Sequence, residues 1–307
     1  MKLRNDIVVG VATHTGRVRN ANEDDYLLVA PEESGLHESL GRWFVIADGM
    51  GGVTGGAEAS RIAVRALCGL ALREPELDPQ SRMRKGFVAA CQRVYASSKA
   101  SSALREMGTT MTAINLVARK VILGHVGDSR CWLLRGGRLR LLTQDHVSHS
   151  DDHHLLRCIG GGREEEQVDV SVLELEKGDT LALATDGLWE AVPEPELLQI
   201  LRQDSPQRAA AKLVQRANAG GGQDNATAVV IAYRGGEAQA FVEVDLPSEE
   251  APEPLAVVTR VRNIAAPRWP WFLLAAAVLL VLAALGKRWF DVDVVRITSH
   301  FLSSFSR

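Results

Sequence analysis

The chain has 307 residues, 24% of them charged, with a formal net charge of −3. That length holds one large domain and an appendage, and so even a charge balance argues against a nucleic-acid partner. The four cysteines (Cys68, Cys91, Cys131, Cys158) have no Cys-x-x-Cys spacing, which reads as reduced, mostly buried thiols of a cytosolic protein, not a disulfide frame or a zinc site. Met1-Lys-Leu-Arg leads into only a short apolar stretch, unlike a signal peptide.

The first segment with chemistry is Arg19-Asn-Ala-Asn22-Glu23-Asp24-Asp25-Tyr26. Three successive acids cannot all face a core, so alone it reads as a solvated turn. An apolar run from Trp43 then ends at Asp48-Gly49, as a short buried strand bounded by a turn does. A helix follows from Gly55 to about Arg73, with Ile62, Ala63, Ala66, Leu67 and Leu70 at helical spacing. Asp78-Pro79, a capping residue before a first-turn proline, opens a second helix expected to reach about Met107. Strands are predicted from about 110 to 142, broken by a hairpin at Arg135-Gly-Gly-Arg138. Within them Val121–Val126 runs into Gly127-Asp128-Ser129-Arg130. Thr180–Thr185 leads to Asp186-Gly187, helices follow near 194–202 and 206–218, and Asp224-Asn225 precedes a last run, Ala226–Ile231. Hairpins inside strand groups, with helices between the groups, suggest mostly antiparallel sheets flanked by helices.

One aspartate beside glycine is ordinarily a turn. Here four apolar runs each meet an aspartate at such a turn: Asp48, Asp128, Asp186 and Asp224. Carboxylates gathered at one sheet edge repel each other unless a cation lies between them. Oxygen donors without cysteine point to Mg²⁺ or Mn²⁺, not zinc.

Read together, these segments resemble the metal-dependent Ser/Thr protein phosphatases of type 2C, in their bacterial form. The opening motif is the Arg19–Tyr26 segment, and the second is Val45-Ile-Ala-Asp48-Gly49-Met50-Gly-Gly52. Gly108-Thr-Thr110, His125-Val-Gly-Asp128-Ser-Arg130, Leu142-Thr-Gln-Asp145-His146, Ala184-Thr-Asp186-Gly-Leu-Trp189 and Gln223-Asp224-Asn-Ala-Thr227 follow in the family's order. Each motif is weak alone, but together they are specific and cover residues 6 to 234, about three quarters of the chain.

The resemblance implies an α+β fold of four α-β-β-α layers: a central antiparallel β-sandwich with a helical pair on each face. It implies two Mn²⁺ or Mg²⁺ ions per active site, with a third, weaker one in bacterial members. Asp48 would bridge the two ions, supported by the carbonyl of Gly49. Asp186 and Asp224 would hold the first, and Glu23, with Asp24 beside it, the waters of the second. Asp128 would share the third with Asp186. A hydroxide between the cations would attack phosphorus in line, while the planar fork of Arg19 gripped the phosphate. Partners would be phosphorylated proteins and a cognate Ser/Thr kinase. A catalytically weak phosphatase-fold scaffold that binds phosphoproteins is the alternative.

Two positions depart from the pattern. Met50 stands where eukaryotic members often carry a histidine, and methionine cannot protonate a leaving group. Only Val147–His154 separates Asp145-His146 from Leu155-Leu-Arg157, where family members usually carry a longer flap. The expected result is an open mouth with weak selectivity around the phosphoresidue. His146, His149, His153 and His154 crowd this loop without metal-ligand spacing, and Gly160–Gly162 and Gly220–Gly222 read as turns, since no Lys-Ser/Thr follows.

The phosphatase domain is expected over residues 1–235, followed by a linker over 236–268 that holds Pro247-Ser-Glu-Glu-Ala-Pro-Glu-Pro254. Residues 269–286 carry no charge and are flanked by Trp269, Trp271 and Trp289. They read as a single transmembrane helix near the lower length limit, with a short tail over 287–307. Arg260, Arg262 and Arg268 before it nearly balance Lys287, Arg288 and Arg296 after it. Orientation therefore rests on the resemblance: a catalytic domain on the cytoplasmic side of the cell membrane.

Overall fold

The structure is a computed structural model and describes residues 2–4, 6–30, 38–101, 104–148, 154–235 and 241–243. In chain order the strands and helices are β1 (Lys2–Arg4), β2 (Ile7–His14), β3 (Asp24–Val29), β4 (Arg42–Met50), α1 (Gly52–Ala71) and α2 (Pro79–Ser98). Next come β5 (Gly108–Thr109), β6 (Met111–Val117), β7 (Lys120–Val126), β8 (Arg130–Arg135), β9 (Arg138–Leu141), β10 (Ile159–Gly160) and β11 (Asp169–Glu174). Then β12 (Thr180–Ala184), α3 (Asp186–Trp189), α4 (Glu194–Gln203), α5 (Pro206–Ala219), β13 (Ala226–Tyr233) and β14 (Phe241–Glu243) complete the set.

One sheet runs β10-β5-β4-β6-β7-β11, with β3 also paired to β4; the second runs β2-β13-β12-β8-β9. Their pairings are all antiparallel, as is the small β1–β14 ladder. The apolar runs are continuous because both faces of each sheet are covered. On β4, Trp43, Val45 and Ala47 pack with residues of α1 and α2, while Phe44 and Ile46 enter the core shared by the two sheets. On β13, Val229 and Ile231 enter that shared core, and Ala228 and Val230 pack with α4 and α5. The layers are therefore helices, sheet, sheet, helices, as the resemblance implied.

Local chemistry sets the helix ends. The Asp78 carboxylate accepts from the backbone N–H groups of Gln80 and Ser81 at 3.0 Å each, and so starts α2. The buried Arg82 guanidinium donates to the carbonyls of Glu74, Pro75, Leu77 and Ser39, tying down the α1–α2 connection. Helix α2 stops at Ser98, well before Met107, where the Ser98 hydroxyl donates to the Tyr95 carbonyl and competes with the backbone ladder. The hairpin between β8 and β9 forms at Gly136 and Gly137, both with positive φ (56° and 77°), as a tight primed turn requires.

Among the described residues no helix is long and apolar enough to cross a membrane. The segment 269–286 expected to do so, like most of the linker and the tail, lies outside them. Chain contacts separate Met1–Thr259 from Arg260–Arg307. The four cysteines are free, three of them buried.

Candidate active site

The acids converge at one end of the sandwich because the strands that carry them start or stop there. Asp48 and Asp24 face each other across the β4–β3 ladder. Asp128 follows β7, Asp186 opens α3 just after β12, and Asp224 immediately precedes Asn225 and β13.

Asp48 has a fixed backbone: its N–H donates to the Thr110 hydroxyl at 3.0 Å, and its carbonyl accepts from Thr110 N–H and the Thr109 hydroxyl, both at 2.8 Å. Gly49 N–H donates to the Glu23 carbonyl at 3.1 Å, and the Ser60 hydroxyl of α1 reaches the same carbonyl at 2.7 Å. A Cβ on Gly49 would lie 2.1 Å from the Gly56 carbonyl oxygen, so only glycine lets α1 begin against this strand. Asn225 ties the opening loop to the end of the domain. Its Oδ1 accepts from Glu23 N–H at 2.7 Å, and its Nδ2 donates to the carbonyls of Thr15 and Ala21 at 2.7 and 3.0 Å.

The Arg19 guanidinium donates to Asp224 Oδ2 at 2.6 Å, and Asp224 Oδ1 accepts from Asn225 N–H at 2.8 Å. Asp24 Oδ2 accepts from the hydroxyls of Thr185 (2.8 Å) and Thr227 (2.6 Å). Asp24 Oδ1 and Glu23 Oε1 are buried with no partner.

A cavity of about 540 Å³ opens over this cluster, with Arg19, Glu23, Asp48, Gly49, Asp128, Asp186 and Asp224 in its wall. Asp24 is not in that wall; it lies behind, against Asp48. The other predicted site residues are all brought together.

The acids cannot all be ionised here without a counter-charge. Burial, with Asp24 and Asp186 nearby, holds Asp48 well above the carboxylate range. Burial pushes Asp24 up to about 7 despite its two threonine donors. It pushes Asp128 to about 7 as well, helped by Asp186 and Asp145. Glu23 and Asp186 are raised for the same reason. One half-exposed arginine cannot balance this many carboxylates, and two buried carboxyl oxygens lack partners. An all-oxygen donor set of this charge fits hard divalent cations, Mg²⁺ or Mn²⁺. Among the described residues no three His, Cys, Asp or Glu form a closed metal-ligand group.

Sequence reasoning missed the residues that hold the acids in place. Thr110, Thr185 and Thr227 sit inside the quoted motifs, but only Thr185 adjoins an aspartate in sequence. His146 is another. Its Nδ1 accepts from Gly127 N–H at 3.0 Å, and its own N–H donates to the Gly127 carbonyl at 2.8 Å, fixing the turn that carries Asp128. The Trp189 indole donates to the Asp128 carbonyl at 3.2 Å, and Arg130 stacks 3.4 Å from that ring while gripping Asp145 with two nitrogens. Of the other loop histidines, His149 and His153 lie outside the described residues. The loop's ends are closed by a Val147–Leu155 bridge and a 2.7 Å bond from Ser148 N–H to the His154 carbonyl.

An acid-lined, cation-demanding cavity with an arginine at its rim, set at the end of a four-layer sandwich, is the site of a metal-assisted phosphoester hydrolase. The Protein phosphatase 2C family profile matches residues 16–219, and the chain belongs to that family. It is 32% identical over 244 residues to the serine/threonine phosphatase stp of Listeria welshimeri, covering 71% of this chain and 93% of that one. To the serine/threonine protein phosphatase PstP of Mycobacterium tuberculosis it is 31% identical over 227 residues, or 68% of this chain and 44% of that one. The crystal structure of the latter superposes with a TM-score of 0.66 at 29% identity, over 75% of this chain. A structure of the PstP catalytic domain in complex with two manganese ions gives 0.64 at 29%, over 77% of this chain and 99% of that one.

Proposed function

We propose that this chain hydrolyses phosphoserine and phosphothreonine in proteins with two Mn²⁺ or Mg²⁺ ions, opposing a Ser/Thr kinase from a membrane tether. The observation that carries the chemistry is the buried cluster of Asp48, Asp186 and Asp224 with Glu23, whose charge demands divalent cations. Family membership and the relatives' names support the substrate class.

Asp48 would help hold both ions, supported by the Gly49 carbonyl. Asp186 and Asp224 would complete the first site and Glu23 the second, while Asp128 and Asp186 would hold a third ion. Bound there, the metals supply an activated water and offset charge on the phosphoryl oxygens. The protein supplies position. Arg19 engages Asp224 through one nitrogen, which leaves the rest of its five-donor fork to orient a phosphate. Asp24, pinned by Thr185 and Thr227, keeps a carboxylate behind Asp48 and sets its orientation. Met50 lines the cavity but donates no proton, so the leaving serine or threonine oxygen takes its proton from solvent, a metal-bound water or another residue.

The membrane half rests on residues 269–286, an uncharged stretch flanked by tryptophans. We place the catalytic domain, residues 1–235, on the cytoplasmic side, where phosphoproteins are made.

The test is dephosphorylation of a phosphothreonine peptide by the full chain in Mn²⁺, in Mg²⁺ and in chelator, beside Asp186→Asn. Metal-dependent turnover that the variant loses supports the reading. A folded protein inert in both metals is instead a phosphoprotein-binding scaffold. Release of the chain from membranes by an alkaline carbonate wash would refute the tether.

A further inference from the structure

The floor of the cavity is charged, but its mouth is not. Val18, Met50 and Leu155 share the wall with the acids. Among the described residues the two most exposed large apolar side chains in the protein are Val18 (59%) and Leu156 (56%), the latter next to Leu155. A single exposed leucine or valine needs no explanation. Val18 at the rim of a catalytic cavity, with Met50 and Leu155 continuing the apolar surface into its wall, forms a surface with a use.

These side chains are not exposed because their backbones fray. Arg17 and Val18 donate their N–H groups to the Gly222 carbonyl at 2.7 and 3.3 Å. Leu156 N–H donates to the His146 carbonyl at 2.7 Å, and Leu155 sits in the bridge to Val147. His146 in turn is fixed to the Gly127 turn. Both apolar patches are therefore held rigidly against the elements that carry Arg19 on one side and Asp128 on the other. Pre-ordered apolar surface binds without first losing conformational freedom.

A phosphoresidue whose phosphate reaches the acids brings its neighbours over this rim, since an extended chain advances about 3.3 Å per residue. We propose that Val18, Met50 and Leu155 form an apolar specificity rim, which selects phosphoserine and phosphothreonine peptides carrying a large apolar residue within two positions of the phosphoresidue. This rests on the phosphatase reading above and narrows it. The shortened loop alone suggested an enzyme indifferent to sequence; the apolar side chains at its end give it a preference.

The experiment compares kcat/KM of the full chain in Mn²⁺ on phosphothreonine peptides that differ only in leucine or serine at each of the two positions on either side. Hydrolysis of p-nitrophenyl phosphate is followed in parallel. At one or more positions leucine is expected to be favoured by roughly tenfold, the scale of a small apolar contact. The variant Val18→Ser should bring that ratio close to one; its side chain faces solvent, so folding is not at stake. Equal kcat/KM for leucine and serine peptides in a protein that hydrolyses p-nitrophenyl phosphate overturns the rim and leaves the phosphatase standing. A leucine preference that survives in Val18→Ser also overturns it. Failure to hydrolyse any phosphate ester in Mn²⁺ removes the phosphatase reading itself.

Discussion

Replacing Asp128 with asparagine tests the electrostatic account directly. Burial and the carboxylates of Asp186 and Asp145 raise Asp128 from 3.8 to about 7. A folded-state value above the unfolded one means that the native state binds the extra proton. The associated stability is therefore complete below pH 4 and is lost as pH climbs through about 7. At about 1.4 kcal/mol per unit, a shift of roughly 3 units amounts to at most about 4 kcal/mol. The side chain borders an open cavity that solvent reaches, so about half of that, roughly 2 kcal/mol, is expected. Asparagine keeps the shape and carries no charge. In chelator at pH 8, Asp128→Asn is thus expected to be more stable than wild type by about 2 kcal/mol, with the gap closing near pH 4. Urea unfolding followed by tryptophan fluorescence from pH 4 to 8 measures this, and taking the difference between the two proteins cancels the other titrating groups. Mn²⁺ should narrow the gap by neutralising the carboxylates. Parallel pH profiles, or a variant less stable at pH 8 in chelator, would refute the claim that these acids strain the metal-free fold.

Arg19→Ala and Arg19→Lys should both lower kcat/KM for a phosphopeptide by about tenfold or more, because a lysine's point charge cannot reproduce the fork; full rescue by lysine in steady-state kinetics would refute this. Gly49→Ala drives a methyl into the Gly56 carbonyl and should cost about 1–3 kcal/mol on denaturation together with most of the activity; a variant with wild-type stability and turnover would contradict the close approach. Burial also lowers His125 from 6.5 to about 4, so its contribution is present above pH 6.5 and lost as pH falls through 4, a window worth up to about 3 kcal/mol. Thermal melts from pH 7 to 4 should show a shallower decline for His125→Gln, and an unchanged slope would rule the assignment out.

The sandwich was legible because β4, β7, β12 and β13 are apolar runs with an aspartate at or near one end, and their sidedness needed no guess once both faces were covered. Helix starts were legible for the same local reason, a capping aspartate at 78 and a serine before Pro206. Helix α2's end was not, since nothing at Ser98 breaks the periodicity except side-chain bonds that only the folded chain makes. The four-residue α3 was too short to carry a period. The acids could be picked from the sequence because each adjoins a strand end. The roles of Thr185, Thr227 and His146 could not, because their partners Asp24 and Gly127 lie 161, 203 and 19 positions away.

The Asn225 side chain joins two ends of the polypeptide's history as well as two loops. Its bonds to Glu23, Ala21 and Thr15 span 202, 204 and 210 positions, and Arg19 meets Asp224 across 205. Contacts of that separation are made last, because the entropy of closing so long a loop has to be met first. Until the ribosome has added Asp224 and Asn225, just ahead of β13, the first loop has no Asn225 to hold it and Arg19 no Asp224 to face. An unfinished chain can thus hold a folded helical pair and the first sheet yet have no catalytic centre. Competence to remove phosphate is acquired only once Asp224 and Asn225 ahead of β13 have been made, so a nascent phosphatase is silent until that late segment joins the first loop.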